Sequence, residues 1–408
     1  MKRKIIGCLI AGLCIFGLAT LILSRRLISN DLEKQMDEVR SRGNLPLVAI
    51  FPMTGSYSYV GDLADWSARY AVDQLNAQGG VNGRKVELIV CNTASDTDTA
   101  RSIVDKVSKN ALILIGPATA PEALAVAEDV RANAVVDLGV YSFDEGLNKA
   151  APYGISYMSN SDRGEWSCVK KWSEDHPDIR RVVIFTDAKD ASKWETAEAL
   201  VEKLPEIGLE AVVVVDISKD RTSQRYMKCA IQALNQDADG YISLLSTEDY
   251  AHVLSELRLR GVDDGGRITA SFSAFSEELV ELAGEDLDGT YIWNKFDPAY
   301  ESDAWEALAA AYQKDHHGEM PMSTIVVDIY DSVMILKDCF DALEITGDSA
   351  VYVQEKEKIA RWFFEAGSVD GIQGSYSWEN GEKIKDYVYF SFDGATPVNL
   401  AGSPRGDK

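Results

Sequence analysis

The residue types best suited to acid–base chemistry or metal binding are sparse in this chain. Its four histidines are His176, His252, His316 and His317. The adjacent pair follows a predicted helix over 303–315, and neighbouring side chains on a helix diverge, so the two rings do not share one metal site. His252 lies in YAHVLSEL, a pattern typical of an ordinary helix. The histidines therefore predict no metal centre.

Motifs of catalysis and cofactor binding are also missing. The chain has no GxGxxG, GxSxG or HExxH motif, and GGVNGRK at 79–85 lacks the spacing and the Ser/Thr of a phosphate-binding loop. Carboxylates are abundant, but sequence spacing alone does not pair them across a fold. We therefore expect no bound cofactor and no enzyme activity.

The six cysteines fall into two groups. Two lie in an apolar N-terminal segment, whereas four are scattered without a CxxC pair: Cys91, Cys168, Cys229 and Cys339. Four cysteines allow three disulfide pairings, and the sequence does not choose among them. Because free cysteine is often buried in large cores, we expect buried thiols for most of the four.

That N-terminal segment predicts export. Three basic residues precede residues 5–24, which carry no formal charge, and two arginines follow. About twenty helical residues span a bilayer's hydrocarbon core, whereas a cleaved signal segment usually has an apolar run of about 7–15 residues. We predict a signal anchor or signal peptide over 1–26 and a polar spacer, helical or disordered, over 27–44. The body is then extracytoplasmic, in the periplasm or at the cell surface, and either free or anchored to the inner membrane by 5–24.

The composition of the body limits its partners. The chain has 408 residues with 41 Lys+Arg and 65 Asp+Glu, a net charge of −24, although its first 44 residues are net positive. An acidic body repels nucleic acid, which we exclude as a partner. Apolar residues make up 46 %, which excludes a disordered chain and allows large cores.

Apolar runs and helical repeats alternate through the body and predict an α/β fold. The first set of predicted strands lies at 45–53, 86–90, 112–115 and 135–138, and a second set runs from 181–185 to 267–271. This alternation predicts two Rossmann-like lobes, each a mostly parallel sheet flanked by helices. Ligands of such sheets bind beyond the carboxyl ends of the strands, so facing loops would form a cleft that hinge closure covers.

One stretch resembles a known family. Residues 52–90, PMTGSYSYVGDLADWSARYAVDQLNAQGGVNGRKVELIV, are similar to the leucine and branched-chain amino-acid-binding proteins of bacterial ABC importers, which are type I periplasmic binding proteins. The resemblance continues through LILIGPATAPEALAVA, RRVVIFTD, ELAGEDLDGTYIW and VDGIQGSYSWENGE, and it covers about 45–395. QGGVNGRKVEL is its most specific part.

The resemblance implies two lobes joined by three hinge crossings, and we place these near 157–162, 294–297 and 346–351. Lobe I would contain 45–158 and 297–347. Lobe II would contain 159–296 and 348–400.

The resemblance also implies pocket positions in lobe I. Thr119 and Ala120 occupy the loop after the third strand, where a serine of the family holds the ligand carboxylate. Free N–H groups in the first helical turn could bind that anion instead. Ser142 and Phe143 fall at the positions of a backbone carbonyl and a threonine after the fourth strand.

In lobe II, Phe272 falls where the family has the acid that pairs with the ligand's ammonium, and Asp190 falls where it has an aromatic residue. A buried ammonium without a carboxylate costs several kcal/mol, so an ordinary amino acid fits poorly unless Asp190 or another carboxylate substitutes. Tyr57, Ser58 and Tyr59 lie on the loop after the first strand, and the aromatic residues favour a less polar or aromatic ligand. A register shifted by one residue would instead supply serine hydroxyls.

Together these features predict an extracytoplasmic solute-binding protein. It would capture a small molecule, an amino acid or an analogue, in an interlobe cleft and pass it to an ABC permease. Two alternatives use the same architecture: a membrane-anchored sensor or regulator, and an envelope enzyme on a two-lobed α/β fold. Stabilisation by a ligand without turnover would separate binding from catalysis.

Overall fold

The computed structural model describes residues 32–141 and 144–400. Segment 5–24 and the pair Ser142 and Phe143 therefore lie outside the described residues. In the ranges that are described, no helix has the length and apolar character needed to cross a membrane.

The chain forms two compact units. Unit 1 contains the described chain up to Met158 together with Asp328–Gly367 and Trp378–Lys383. Unit 2 contains Ser159–Val327, Ser368–Ser377 and the described chain from Ile384 onward.

Unit 1 begins with strands and helices in strict alternation. They are α1 (32–41), β1 (Leu45–Phe51), α2 (Ser58–Ala77), β2 (Val86–Asn92), α3 (Thr97–Val107), β3 (Ile113–Ile115), α4 (Ala120–Ala132), β4 (Val136–Gly139), α5 (144–150) and β5 (Gly154–Ser156). All five strands are parallel, in the order β2-β1-β3-β4-β5. Because helices cover both faces of such a sheet, its strands are nearly continuous apolar runs, as β1 shows.

Residues 32–41 of the segment predicted as a spacer form a helix that belongs to the core of unit 1. Met36 and Val39 of α1 are buried and pack in one cluster with Val48 and Ile50 of β1. The helical alternative for this part of the spacer is therefore the observed one. The described chain is packed against the body from residue 32 onward.

Unit 2 repeats the alternation. Its elements are α6 (Ser161–Asp175), β6 (Arg181–Thr186), α7 (Ala191–Lys203), β7 (Glu210–Asp216), α8 (Ser223–Leu234), β8 (Gly240–Ser243), α9 (Thr247–Arg258), β9 (Ile268–Ala270), α10 (Glu277–Ala283), β10 (Tyr291–Asn294) and α11 (Asp303–Asp315). Both faces of this sheet are buried: Val183 and Phe185 face one apolar cluster, and Val182 and Ile184 face another.

The remaining elements complete both units. They are α12 (Thr324–Ala342), α13 (Tyr352–Glu365), β11 (Val369–Gly371), β12 (Gly374–Glu379), β13 (Glu382–Ile384), β14 (Val388–Asp393) and β15 (Thr396–Asn399). The unit 2 sheet has the order β15-β14-β10-β9-β8-β6-β7, in which β14 and β15 are antiparallel additions to a parallel core. Strands β11, β12 and β13 form a separate small sheet.

The predicted α/β architecture with two mostly parallel sheets is confirmed, and both sheets share one strand order. The order β2-β1-β3-β4-β5 in unit 1 matches β7-β6-β8-β9-β10 in unit 2. In each unit the second strand lies on one side of the first strand and the third strand lies on the other, so the order of the strands reverses beside the first strand. In open sheets of this kind the crevice at that reversal is where ligands bind.

The chain passes between the units at positions that differ in part from the prediction. The first passage follows Met158, within the predicted 157–162, and later ones follow Val327, Gly367, Ser377 and Lys383. The predicted crossings at 294–297 and 346–351 instead lie inside unit 2 and unit 1, respectively. The apolar stripe of a helix shows that it packs on a core, but not on which of two similar sheets.

The cysteine expectation is confirmed for the described part of the chain. Cys91, Cys168, Cys229 and Cys339 are free and buried. Burial raises the pKa of the Cys91 thiol and of the Cys168 thiol to about 12. Since the thiolate is the reactive form, these thiols are chemically quiet at neutral pH.

Candidate functional site

The loop after β1 is tied to the loop after β2. Asn92 donates from Nδ2 to the Thr54 hydroxyl at 3.0 Å, and Ser95 donates to the Thr54 carbonyl at 2.9 Å. The Tyr57 N–H in turn donates to the Ser95 hydroxyl. This network holds the start of α2 at the carboxyl end of the first strand, beside the reversal point of unit 1.

The three predicted residues on this loop are outside the core. Tyr57 is 38 % exposed and Tyr59 is 63 % exposed, and Ser58 is the first residue of α2. The two phenol rings are therefore available to a ligand or a partner surface, and they do not serve as core packing.

The loop after β3 carries a buried acid. Thr119 is the N-cap residue of α4, but its hydroxyl donates to Oε2 of Glu122 at 2.6 Å instead of accepting from a backbone N–H. Oε1 of Glu122 is buried and has no hydrogen-bond partner among the residues that the structure describes. The hydroxyl of Thr119 is thus engaged within the helix turn. Ala120 opens the helix whose first turn contains Glu122, and repulsion between like charges disfavours a ligand anion at the position where the resemblance implied one.

More acidic and phenolic groups are buried at the ends of the next strands. The hydroxyl of Tyr141 donates to Oδ2 of Asp137 at 2.6 Å. Burial raises the pKa of Asp137 well above its usual value, and the bond from Tyr141 only partly opposes this. Burial and the nearby carboxylates of Asp328 and Asp137 raise the pKa of Tyr157. The described groups buried here are therefore acids and phenols together with one ammonium, that of Lys383, which lies 2.8 Å from Asp328.

In unit 2 the structure uses Asp190 as a helix cap. Its side chain accepts the Lys193 N–H at 3.3 Å, and the Lys193 ammonium lies 3.8 Å from its other oxygen. A neighbouring network joins Arg221 to Asp187 at 2.6 Å and to Asp249 at 3.0 Å. These contacts order the loop after β6 and occupy the carboxylate of Asp190.

Phe272 lies in a cluster that the sequence did not reveal. It follows β9, and its ring centroid is 4.8 Å from that of Trp293 in β10. The ammonium of Lys295 is 4.9 Å from the Phe272 centroid, within the range of a cation–π contact. The Phe272 ring therefore contacts both an indole and a buried cation.

Glu165 of α6 completes this cluster. Ser271 donates to its Oε1, and Trp293 donates from Nε1 to its Oε2 at 2.9 Å. Burial raises the pKa of Glu165 to about 7, against the opposing effect of these two hydrogen bonds and of the Lys295 charge. A carboxyl group thus lies near the predicted acidic position, but it is engaged by protein donors and is only partly ionised at neutral pH.

The sequence carried partial signals for these missed residues. Trp293 and Lys295 are at the carboxyl end of the apolar run TYIWNKF, where strand order predicts ligand contacts. Glu165 lies in a polar helix, and nothing in its spacing marks it. In the described ranges there is also no cluster of three or more metal-ligating side chains.

Comparison with known proteins identifies the family. The family model described as periplasmic binding protein matches residues 45–387, which is most of the chain. The chain belongs to the periplasmic binding protein family. The resemblance stated from the sequence is thereby confirmed.

Individual relatives of this periplasmic binding protein are distant in sequence. The Leu/Ile/Val-binding protein BraC3 of Rhizobium johnstonii is 25 % identical over 312 residues, covering 73 % of this chain and 79 % of its own. An amino acid ABC transporter substrate-binding protein from Pseudomonas fluorescens has a TM-score of 0.71 at 16 % identity, with 90 % of this chain and 96 % of its own covered.

A third relative was solved with its ligand. The branched-chain amino acid transporter substrate-binding protein LivJ from Streptococcus pneumoniae, in complex with isoleucine, has a TM-score of 0.64 at 17 % identity. The aligned region covers 87 % of this chain and 99 % of that one. Structural similarity at such low sequence identity establishes the fold of this periplasmic binding protein. It does not identify the solute, which depends on this chain's own side chains.

Proposed function

We propose that the protein captures a small solute, an amino acid or a related compound of less polar or aromatic character, and delivers it to an ABC permease without changing it chemically. Membership of the periplasmic binding protein family over 45–387 carries this proposal. The relatives named for Leu/Ile/Val and for isoleucine supply the first candidates.

The loops that would hold the solute follow the reversal points of the two sheets. In unit 1 these loops carry Tyr57, Tyr59 and Thr119. In unit 2 they carry Asp190, which caps α7, and Phe272 with the residues that it contacts. Ser142 and Phe143, which lie outside the described residues, stay part of this proposal. Among the residues that the structure describes, the site offers aromatic surface and buried polar groups but no activated nucleophile, so we propose binding rather than catalysis.

Native mass spectrometry of the full chain, purified in mild detergent, tests the proposal. We expect one small molecule bound per chain and a rise in melting temperature when that molecule is added back. The molecule should be recovered unchanged after long incubation. Conversion of a candidate into a product would establish the enzyme alternative. A chain that carries no molecule and responds to none would contradict solute binding.

We also propose that the body is extracytoplasmic and held at the inner membrane by residues 5–24. The unbroken apolar length of this segment supports an anchor. Native protein should then stay with membranes after a high-salt wash. A mature form beginning at Thr20 or later in the soluble fraction would refute the anchor while leaving export intact.

A further inference from the structure

Unit 2 contains a cavity beside the antiparallel edge of its sheet. The cavity has a volume of about 350 Å³ and is lined by residues of α10, β14 and β15 and of the segments that precede α11 and α12. Strand β14 is separated from β6, where the order of the strands reverses, by β10, β9 and β8. Natural sites for small molecules have volumes of about 300–1,000 Å³, so this cavity has the size of a binding site.

The cavity and the Phe272 cluster lie on opposite faces of the sheet. Phe275 and Phe390, which line the cavity, belong to the apolar cluster that contains Ile292 of β10. The next residue of β10 is Trp293, which contacts Phe272. Successive side chains of a strand point to opposite faces of the sheet. The cavity is therefore a separate place in the fold and not an extension of the proposed solute site.

Aromatic rings form the interior of the cavity. Phe275 and Phe390 are buried and stacked, with ring centroids 5.0 Å apart and an angle of 27° between the ring planes. Phe392 lies two positions further along β14 and is also buried. The half-buried side chains of Val280 and Met322 add to this apolar lining. Such a surface favours an aromatic or branched aliphatic group, which is transferred out of water when it binds.

The charged residues of the lining are all acids. Glu277 and Glu281 are exposed and lie one turn apart on the same side of α10. The Glu277 carboxylate accepts the Met320 N–H at 3.2 Å, and neither glutamate forms an ion pair with a described residue. The third acid, Asp297, is buried and accepts the Ala299 N–H at 2.9 Å. No lysine, arginine or histidine of the described chain lines the cavity.

The surroundings of the cavity are acidic as well. Burial raises the pKa of Tyr312 in α11, and the carboxylates of Glu319 and Glu277 raise it further. A ligand ammonium beside Glu277 and Glu281 would be attracted to both, whereas a ligand carboxylate would be repelled by both. An apolar interior and an acidic mouth are therefore complementary to one class of molecule, an amine with an apolar body.

We propose that this cavity is a second binding site of the protein, and that it takes a primary amine with an aromatic or branched aliphatic body and no carboxylate. An amino acid is a poorer ligand here, because its carboxylate would lie close to its ammonium and hence close to the two glutamates. The inference goes beyond the proposed function, since it concerns a different site and a different class of ligand.

Three probes test the inference on the full chain in mild detergent. Isothermal titration would compare 2-phenylethylamine, 2-phenylethanol and 3-phenylpropanoate, which share a phenylethyl body and differ only in the end group. We expect the amine to bind about tenfold more tightly than the carboxylate, with the alcohol between them. Because the glutamates are exposed, a higher salt concentration should reduce this difference.

Variants then assign the preference to the two glutamates. Glu277→Gln combined with Glu281→Gln should weaken amine binding about fivefold and change alcohol binding by less than about twofold. The matched control combines Glu278→Gln with Glu285→Gln, which removes the same charge from exposed acids of the same stretch that do not line the cavity. It should change amine binding by less than about twofold. Val280→Trp, which places an indole in the cavity, should abolish binding of both amine and alcohol.

Each outcome is decisive. An amine that binds no more tightly than the carboxylate overturns the inference. An equal loss in the two double variants also overturns it, because the preference would then follow net charge and not the mouth of the cavity. Amine binding that survives in folded Val280→Trp has the same consequence, and if that variant does not fold, the two double variants decide. A chain that binds none of the three probes overturns the second site and leaves solute binding in place, since native mass spectrometry detects the solute independently.

Discussion

Gly164 packs directly against the indole of Trp293, which makes Gly164→Ala an informative substitution. A Cβ at Gly164, near the start of α6, would lie 2.7 Å from Cζ2 of Trp293 and closer still to two other carbons of the six-membered ring. Carbon atoms pack favourably at about 3.5–4.0 Å, so the helix or the indole must move by about 1 Å or more. Trp293 is fully buried and contacts Phe272, so the displacement would reach the proposed site.

The size of the effect follows from three terms. Overpacking of a core costs about 1–3 kcal/mol. The moved indole would also weaken its hydrogen bond to Glu165, and such a bond to a neutral or charged group contributes about 1–3 kcal/mol. Alanine gains about 1 kcal/mol over glycine in a helix. We expect a net loss of about 2 kcal/mol in the free energy of unfolding of unit 2, and a melting temperature lower by roughly 4–8 °C.

Thermal and urea unfolding, followed by circular dichroism, measure this loss. A double-mutant cycle supplies the control, because Trp293→Phe removes the outer ring that the new Cβ would overlap. In that background Gly164→Ala should cost less than about 0.5 kcal/mol or even stabilise the helix. An equal cost in both backgrounds, or no cost in the native sequence, would refute the reasoning.

Three further predictions concern buried ionisable groups. Glu165 has a pKa of about 7 in the folded protein and about 4.5 in the unfolded chain, so the folded state holds its proton to a higher pH. As the pH rises from about 4.5 to about 7, the free energy of unfolding of the native protein should therefore fall. This fall should be about 3 kcal/mol larger than in Glu165→Gln, which has no carboxyl group to titrate at this position. Urea titrations at several pH values measure the difference, and parallel curves would contradict it. Lys383→Met should cost about 3 kcal/mol, because it removes the cation 2.8 Å from buried Asp328, and Asp328→Asn added to it should recover part of that loss. Tyr141→Phe should cost about 1–3 kcal/mol through the lost donor to an acid in the core, and a native-like urea midpoint would argue against that bond.

Much of the fold was accessible from the sequence because of how its strands are buried. Runs such as LPLVAIF are apolar at nearly every position, which indicates a strand with both faces covered. Their alternation with helical repeats predicts parallel sheets, and the loops after the strands then become the expected binding edge. The antiparallel strands β14 and β15 were missed, because sequence spacing does not show that a late hairpin returns to an earlier sheet.

The candidate site was accessible only in part. Position on the loop after the first strand selected Tyr57 and Tyr59, and the resemblance to the family selected Phe272; the structure places the two tyrosines outside the core. The sequence could not show that the Asp190 carboxylate caps a helix, or that the Thr119 hydroxyl donates to the carboxyl group of Glu122 one turn away. Such local hydrogen bonds depend on the exact start of each helix, which residue patterns give only approximately.

The sequence by itself determined the resemblance to the family, the alternation of strands and helices between 45 and 271, and the absence of catalytic motifs, since these depend on residue types and on neighbours along the chain. The tertiary structure decided which charged groups meet. Glu165 and Ser271 are 106 residues apart in the chain and share a hydrogen bond, and Lys295 reaches Phe272 only because β9 and β10 lie side by side. Strand order and side-chain direction bring these groups together, and neither is written in the local pattern around any one of them.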